Sequence, residues 1–158
     1  MLNRSRFTPC CIEFRITLVL IQLFSAAPFC RGDAQFPAWA ARTSIYEVNI
    51  RQFSEAGTFN DVEAYLPDIK ALGADIVWLM PIHPIGELNR KGTLGSPYSV
   101  RDYKAINPEF GTVDDFRSLI DSAHELGMRV IIDWVANHTA WDHPWTKTNP
   151  EYYIRGDQ

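Results

Sequence analysis

Residues 130–139 read VIIDWVANHT and join an apolar run to a group of polar side chains. The first three residues are apolar and β-branched, which is typical of a strand that is covered on both faces of a parallel sheet. Asp133 closes the run, and Asn137 and His138 follow within one short turn. Since all three side chains come at the end of a buried strand, they could face one cavity. The stretch therefore predicts a strand with a polar site at its carboxyl end.

A structural explanation exists for each of these polar residues taken singly. Asp133 would cap the following turn, and His138 would be a loop histidine whose hydrogen bonds are satisfied by its neighbours. A lone aspartate or histidine favours that explanation. Three such side chains grouped at one strand end favour a functional site.

Two more strands and a helical region are predicted upstream. Residues 44–50 (SIYEVNI) are rich in β-branched and aromatic residues, and residues 75–82 (DIVWLMPI) form another fully covered apolar run. Between them apolar residues recur every three or four positions, with Thr58 as the N-cap and Gly73 as the glycine after the helix. Pro67 interrupts this periodicity, so we expect a break or two short helical pieces.

A second helical region leads into the predicted third strand, residues 130–135 (VIIDWV). Thr112 and Asp115 have the capping-box spacing, with Asp in the place of the usual Glu. The apolar positions on one helical face are Phe116, Leu119, Ile120, Ala123 and Leu126, and Gly127 ends the helix. The order strand, helix, strand, helix, strand predicts right-handed crossovers and a parallel sheet.

Two α/β architectures have this order: an open doubly wound sheet, and the first three strands of an eight-stranded barrel. No Gly-x-Gly-x-x-Gly follows any predicted strand, so the nucleotide-binding form of the open sheet lacks its phosphate site. Polar loops follow two of the strands, and in a barrel such loops build the active site at the carboxyl rim.

The longer of these loops, residues 83–111, carries the segment SPYSVRDY at positions 96–103. Tyr98 in this segment offers a flat ring and a polar tip, which suit the apolar face of a sugar ring. The structural alternative is a tyrosine that only anchors the loop, and the residue alone does not decide between the two.

Composition excludes some classes of protein. Aromatic residues make up 13% of the 158 residues and the apolar set 46%, which allows a packed core and argues against disorder. Four of the 15 basic and two of the 19 acidic side chains lie in residues 1–34, so the remainder carries a net charge of about −6. Because phosphate contacts need Lys and Arg, nucleic acid is not an expected partner.

Residues 1–34 have the pattern of a secretory signal peptide. Three arginines precede the apolar stretch ITLVLIQLF, residues 16–24, and small residues follow it. A membrane anchor is the alternative, but the stretch is shorter than the roughly 20 residues of a spanning helix. We therefore expect a secreted or periplasmic protein without stable membrane insertion after cleavage. All three cysteines lie in this leader, so neither disulfides nor a thiolate metal site is expected.

The segment at residues 45–145 resembles the start of the catalytic barrel of the alpha-amylase family, glycoside hydrolase family 13. DWVANH at 133–138 resembles the family's first signature, an Asp followed by three mostly apolar positions and Asn-His. YSVRDY at 98–103 resembles its Tyr-x-x-x-Asp-Tyr segment, and residues 107–133 resemble its run through the second helix into the third strand. The resemblance implies an α/β fold, the N-terminal portion (about three β/α units) of a TIM (β/α)8 barrel.

The resemblance also implies roles for single residues. His138 would hydrogen-bond the sugar beside the scissile bond, Tyr98 would stack on that sugar, and Asp133 would orient neighbouring groups. Asn137 would be a ligand of the calcium ion that many members bind, since an amide oxygen suits a hard cation. Asp102 would position the loop. The implied function is retaining hydrolysis of α-glucosidic bonds in starch-like or maltooligosaccharide substrates, so the partner is an α-glucan or oligosaccharide.

Two domains are expected: a signal peptide at 1–34, and part of a catalytic barrel at 35–158 that stops near the start of the inserted domain. Retaining chemistry needs a nucleophile and an acid, two carboxyl groups about 5–5.5 Å apart. The family carries both after later strands of the barrel, so the resemblance implies that they lie beyond Gln158. No catalytic residue is therefore assigned, and residues 35–158 alone are expected to be inactive.

One short segment imitates the nucleophile motif. Arg155-Gly156-Asp157 has the Arg-x-Asp spacing that the family shows at its nucleophile, and it stands directly before Gln158. The segment follows no apolar run, whereas the family's motif comes at the end of a buried strand. We therefore interpret it as loop.

Other functions fit parts of the pattern. A transition-metal hydrolase could use His138 and His143 with Asp133 and Asp142, although their spacing matches no metal motif. A secreted sugar-binding remnant without catalysis could use Trp134, Trp141 and Trp145. A glucosyl transferase or isomerase of the same family would share these residues. Asn137-His138-Thr139 also fits the N-glycosylation pattern, but its place beside Asp133 argues against a bulky glycan.

Overall fold

The three predicted strands form one parallel sheet. The computed structural model describes residues 36–154. The strands are β1 (Ile45–Val48), β2 (Ile76–Leu79) and β3 (Arg129–Ile132), in the spatial order β1-β2-β3. Their last residues are paired side by side. The loops that leave the three strands therefore start from one edge of the sheet.

Three of the sequence-based predictions fall outside the described residues. They are the signal peptide at 1–34, the loop interpretation of Arg155-Gly156-Asp157, and the position of the catalytic carboxyl groups beyond Gln158. The structure describes neither the leader nor residues 155–158, and it therefore tests none of the three. Each of them stays a prediction.

Each strand is shorter than its sequence pattern predicts. The apolar runs continue past the strand ends because Ile50 and Ile82 remain buried after the chain has left the sheet. Ile50 already belongs to a helical turn, α1 (Ile50–Phe53). The predicted strand over 130–135 ends at Ile132, and only the backbone N–H of Asp133 extends the ladder, by donating to the Leu79 carbonyl at 2.8 Å.

The first helical region is divided in two, as the proline predicts. Helix α2 (Phe59–Ala64) begins at a capping box, in which the Thr58 side chain accepts from the backbone of Asp61 and the Asp61 side chain accepts from that of Thr58. Helix α3 (Leu66–Ala71) follows with Pro67 in its first turn, where a missing N–H costs nothing. Gly73 has φ +90°, a left-handed conformation that favours glycine and ends the helix.

The second helical region is the single helix α4 (Val113–Glu125). Thr112 and Asp115 form the predicted capping box, and Gly127 follows the helix with φ +69°. Leu119 and Ala123 are buried on the predicted apolar face. A short helix α5 (Trp145–Thr148) and 3₁₀ turns at Ala38–Arg42 and Pro150–Tyr152 complete the elements. Among residues 36–154, no helix combines the length and hydropathy needed to cross a membrane.

The core lies between the sheet and its helices. Alternate strand residues Tyr46, Val48, Val77, Leu79 and Val130 belong to it or pack against it. Phe59 at the start of α2 is 0% exposed, and its ring centroid lies 6.0 Å from that of Phe110 and 5.3 Å from that of Phe116. This aromatic group joins α2, α4 and the loop before α4.

The expectation that β3 is covered on both faces is wrong for the described residues. Ile131 is 40% exposed and Ile132 is 39% exposed. β3 is an edge strand of this sheet. Ile131 lies beside Trp78 of β2, which lies beside the exposed Glu47 of β1, so the three residues are on the same face of the sheet. The apolar pattern of β3 therefore exceeds the burial that residues 36–154 supply.

The capping carboxylate of α4 makes stability depend on pH. Hydrogen bonds from the side chain and backbone of Thr112 hold the pKa of Asp115 below its ordinary value of 3.8. Because the pKa is lower in the folded state, the ionised carboxylate stabilises the fold at pH values above the pKa of the unfolded state. This stabilisation is lost as the pH falls through the pKa of the folded state. The Tm of the full-length protein is measured by thermal unfolding at about pH 6 and about pH 2.5, which span this window. We expect Tm to fall less between these two pH values for Asp115→Asn than for the wild type. Asp121→Asn, an exposed aspartate on the same helix, is the matched control, and equal acid losses in all three proteins would contradict the expectation.

Candidate functional site

Tyr98 and Asp133 are brought together at the carboxyl edge of the sheet. The Tyr98 hydroxyl donates to Asp133 Oδ2 at 2.9 Å, although the two residues are 35 positions apart. The hydrogen bond to Asp133 is the largest cause that raises the pKa of Tyr98 above 10.0. Tyr98 is still 36% exposed, so part of its ring stays accessible. Asp133 therefore holds the phenol of Tyr98, a contact through which it can orient that neighbour.

The loop that carries Tyr98 is fixed by arginine side chains. Arg51 in α1 donates from its guanidinium to the carbonyls of Leu94 and Gly95, each at 3.3 Å. Arg90 donates in the same way to Gly86 O at 2.8 Å and Ile85 O at 3.2 Å. These contacts tie down backbone carbonyls in an irregular loop and so limit where Tyr98 can lie.

His138 lies in a turn that follows β3, on the surface of an open groove of about 210 Å³. Its side chain is exposed, and its Nδ1 lies 3.3 Å from the Asn137 amide nitrogen. The groove is lined mainly by aromatic side chains and His138: Tyr103, Trp134, Trp145, Tyr152 and Tyr153. Aromatic faces with polar tips suit sugar rings, which have apolar faces and hydroxyl edges.

Tyr98 lines a second cavity, with Asn49, Arg51 and Gln52 from the end of β1 and from α1. His138 and Tyr98 thus lie at the same carboxyl edge but line separate cavities in the described residues. That both contact one sugar ring stays a prediction. The link between them runs through Asp133, which bonds Tyr98 and begins the segment that leads to His138.

The two rim loops that carry these residues are joined to each other. The backbone N–H of Ala140 donates to Val100 O at 2.8 Å, and Asp142 Oδ2 accepts from the backbone N–H of Glu87 at 2.8 Å. Gly86 allows the close approach, since a Cβ there would lie 2.3 Å from the Ala140 Cβ. The loops after β2 and β3 therefore form one unit.

Asp102 bonds within its own loop. Its carboxylate accepts from the backbone N–H of Lys104 at 2.8 Å. A carboxylate that accepts from the backbone two residues on stabilises a turn. The contact is compatible with the loop-positioning role that the resemblance implies.

The transition-metal alternative finds no support in the geometry. Residues 36–154 contain no group of three or more His, Cys, Asp or Glu side chains placed to hold a metal ion. His143 is 4% exposed, its Nδ1 accepts from the backbone N–H of Trp145, and burial lowers its pKa below 6.5. Asp142 is occupied by the Glu87 backbone. Both residues hold the loop together.

Asn137 supplies one exposed amide to the predicted calcium site. Within the described residues no carboxylate or histidine cluster gathers around it, and a hard cation takes six to eight oxygen ligands. One amide is not a site, so calcium stays a prediction from the resemblance.

Sequence reasoning missed the roles of Tyr103, Tyr152 and Tyr153. The Tyr103 hydroxyl donates to carbonyls 32 and 35 positions away, and the Tyr153 hydroxyl lies 2.8 Å from Thr139 Oγ1. The motif places Tyr103 near the site, but no local pattern reports a side chain that bonds a distant backbone. Tyr152 adds an aromatic face to the groove.

Comparisons with known proteins identify one family. The family model described as "Alpha amylase, catalytic domain" matches residues 29–155. An alpha-1,4-glucan:maltose-1-phosphate maltosyltransferase from Rhodospirillum rubrum is 44% identical over 138 residues, which cover 76% of this chain and 19% of that protein. A probable oligo-1,6-glucosidase 2 from Bacillus subtilis is 34% identical over 114 residues, which cover 69% of this chain and 19% of that protein.

Solved structures agree with the sequence comparisons. The crystal structure of an alpha-amylase from Lactobacillus plantarum matches with a TM-score of 0.70 and 55% identity, over 72% of this chain and 27% of that one. The chain thus spans about a fifth of the length of these two curated relatives and about a quarter of that of the solved structure.

Proposed function

The chain belongs to the alpha-amylase family and forms the N-terminal part of its (β/α)8 barrel, and from this we propose that the full-length protein acts on α-glucosidic bonds. We propose retaining hydrolysis of starch-like or maltooligosaccharide substrates as the main activity. The observation that carries the proposal is the hydrogen bond between Tyr98 and Asp133 at the carboxyl edge, within a chain that the family model matches over residues 29–155.

The geometry supports a binding role for Tyr98 through its ring. Its hydroxyl proton is used by Asp133, so the ring face is what the residue offers to a ligand. A flat aromatic face excludes water from the apolar face of a sugar and fixes its orientation. Tyr98 therefore stacks on the sugar, and Asp133 holds the hydroxyl end of the Tyr98 side chain in place.

The geometry supports a hydrogen-bonding role for His138. Its imidazole is exposed at the edge of the aromatic groove, with one nitrogen beside the Asn137 amide. The other nitrogen, Nε2, is available to a sugar hydroxyl. An imidazole donates or accepts according to its tautomer, so it suits a hydroxyl, which does both.

Bond cleavage is assigned to carboxyl groups outside residues 36–154. Retaining hydrolysis needs a nucleophile and an acid about 5–5.5 Å apart, and the proposal keeps the expectation that both follow Gln158. Asp133 follows β3 directly, but its bond to Tyr98 commits it to orienting the site. The described residues therefore supply substrate binding and the frame of the rim.

Transfer is the second candidate, because one relative is a maltosyltransferase and another a probable glucosidase. Both activities share a glycosyl donor and differ in the acceptor, which is water or a sugar. A sugar-binding protein without catalysis is the third candidate, and the aromatic groove favours it equally.

One assay separates these candidates. The full-length protein is incubated with maltotetraose, with cellotetraose as the β-linked control, and the products are followed by chromatography and by NMR of the anomeric proton. We expect shorter maltooligosaccharides, released first as the α-anomer, and no change in cellotetraose. Products longer than maltotetraose would indicate transfer. Calorimetric binding without turnover would indicate the non-catalytic candidate, and neither binding nor turnover would contradict the proposal.

A further inference from the structure

The turn that carries His138 has no backbone hydrogen bonds of its own. Before it, Asp133 donates to Leu79 O, and after it, Ala140 donates to Val100 O. At positions 134–139, no backbone N–H or carbonyl is paired with another backbone group of the described residues. Something other than the backbone must therefore set the path of this turn.

The Tyr103 hydroxyl lies between the two ends of the turn. It is 2.5 Å from the carbonyl oxygen of Val135 and 2.8 Å from that of His138. A phenol carries one proton, so the two carbonyls share it. The hydroxyl thus links the start of the turn to the residue that bears the imidazole.

The Tyr103 ring is itself held on several sides. Its centroid lies 5.7 Å from that of His83, 5.5 Å from that of His143 and 5.8 Å from that of Trp145. His83 is in turn bonded to the Ala105 carbonyl at 2.9 Å. Burial raises the pKa of Tyr103 above 10.0, so the hydroxyl keeps its proton at neutral pH. A ring packed in this way places its hydroxyl at a defined point.

We propose that Tyr103 is a positioning residue, whose hydroxyl aims the His138 imidazole at the sugar by fixing the carbonyls of Val135 and His138. This inference rests on the proposed function, because it takes His138 to contact the substrate. Tyr103 acts through the turn and need not touch the sugar. It belongs to the loop after β2, so it makes the geometry of the β3 turn depend on the neighbouring rim loop.

The test is a double-mutant cycle in the full-length protein, with maltotetraose as the probe. Tyr103→Phe removes one oxygen and keeps the packed ring, so kcat/KM should fall about tenfold, the effect of about one hydrogen bond. In a His138→Ala background the same change should have almost no further effect, since there is no imidazole left to aim. Replacing Tyr103 by 4-aminophenylalanine, which restores a donor at the same place, should recover most of the activity.

Tyr65→Phe, which removes a hydroxyl on the exposed side of the helices, is the control and should leave kcat/KM unchanged. Losses that add in the double variant would overturn the inference, as would an unchanged kcat/KM for Tyr103→Phe in an active wild type. A Tyr103→Phe variant that no longer folds would also overturn the inference, because the hydroxyl would then be required for folding and not specifically for the position of His138. A wild type that neither cleaves nor binds maltotetraose would instead overturn the proposed function, and this inference with it.

Discussion

If the full-length protein cleaves maltotetraose as proposed, we expect replacement of His138 by alanine to lower kcat/KM about 10²-fold. The imidazole lies exposed at the edge of the aromatic groove, where it can reach a sugar hydroxyl. A hydrogen bond that strengthens as charge develops on the reacting sugar contributes most to the transition state, and loss of one such donor costs on the order of 10²–10³. The steady-state kinetics of the purified variant measure the effect.

His124→Ala is the matched control for this substitution. His124 is exposed in the last turn of α4, away from the strand ends that carry the site, so its removal should change kcat/KM by less than about twofold, within the range of ordinary surface changes. A His138→Ala enzyme with kcat/KM within about threefold of the wild type, less than one hydrogen bond, would show that the imidazole does not serve the substrate.

We expect replacement of Phe59 by alanine to lower the free energy of unfolding by about 3–5 kcal/mol, the usual cost of truncating a fully buried phenylalanine. Phe59 is 0% exposed and contacts both Phe110 and Phe116. Its removal leaves a cavity where α2, α4 and the preceding loop meet. Urea unfolding of the full-length protein, followed by tryptophan fluorescence, measures the change in the first transition.

Phe59→Leu is the matched variant for the core substitution. Leucine refills part of the cavity and keeps the apolar contacts, so it should cost clearly less than alanine. A Phe59→Ala variant destabilised by less than about 1 kcal/mol would contradict the assignment of Phe59 to the packed core.

Local patterns account for the part of the fold that was predicted correctly. The N-cap at Thr58, the capping box at Thr112, the break at Pro67 and the turn at Gly127 each depend on a few neighbouring residues. Their chemistry is fixed before any tertiary contact forms. The strand-helix alternation then restricts the sheet to a parallel one, which the structure confirms.

Strand ends and burial were predicted less well because they depend on neighbours that a local pattern does not contain. Ile50 and Ile82 are buried without belonging to a strand, so apolar runs overestimate strand length. Ile131 and Ile132 have the composition of a fully covered strand, yet both are exposed in the described residues. An apolar run reports that a residue tends to be buried and does not report what covers it.

The candidate site likewise contains residues that the sequence predicts and a residue whose role depends on a distant contact. The Tyr98, Asp133 and His138 positions follow from strand ends and family motifs, and the Tyr98–Asp133 hydrogen bond joins two of them. The hydroxyl of Tyr103 reaches carbonyls in another loop, and no spacing rule predicts such a contact. Residues that position others through the backbone are therefore the hardest to predict from the sequence.

A crystal structure of the full-length protein with a bound maltooligosaccharide would test the proposed sugar site without kinetic assumptions. We expect one glucose ring stacked on Tyr98, with the His138 imidazole about 3 Å from a hydroxyl of that same ring. A glucan bound elsewhere on the protein, with Tyr98 and His138 both free of it, would contradict the proposed site.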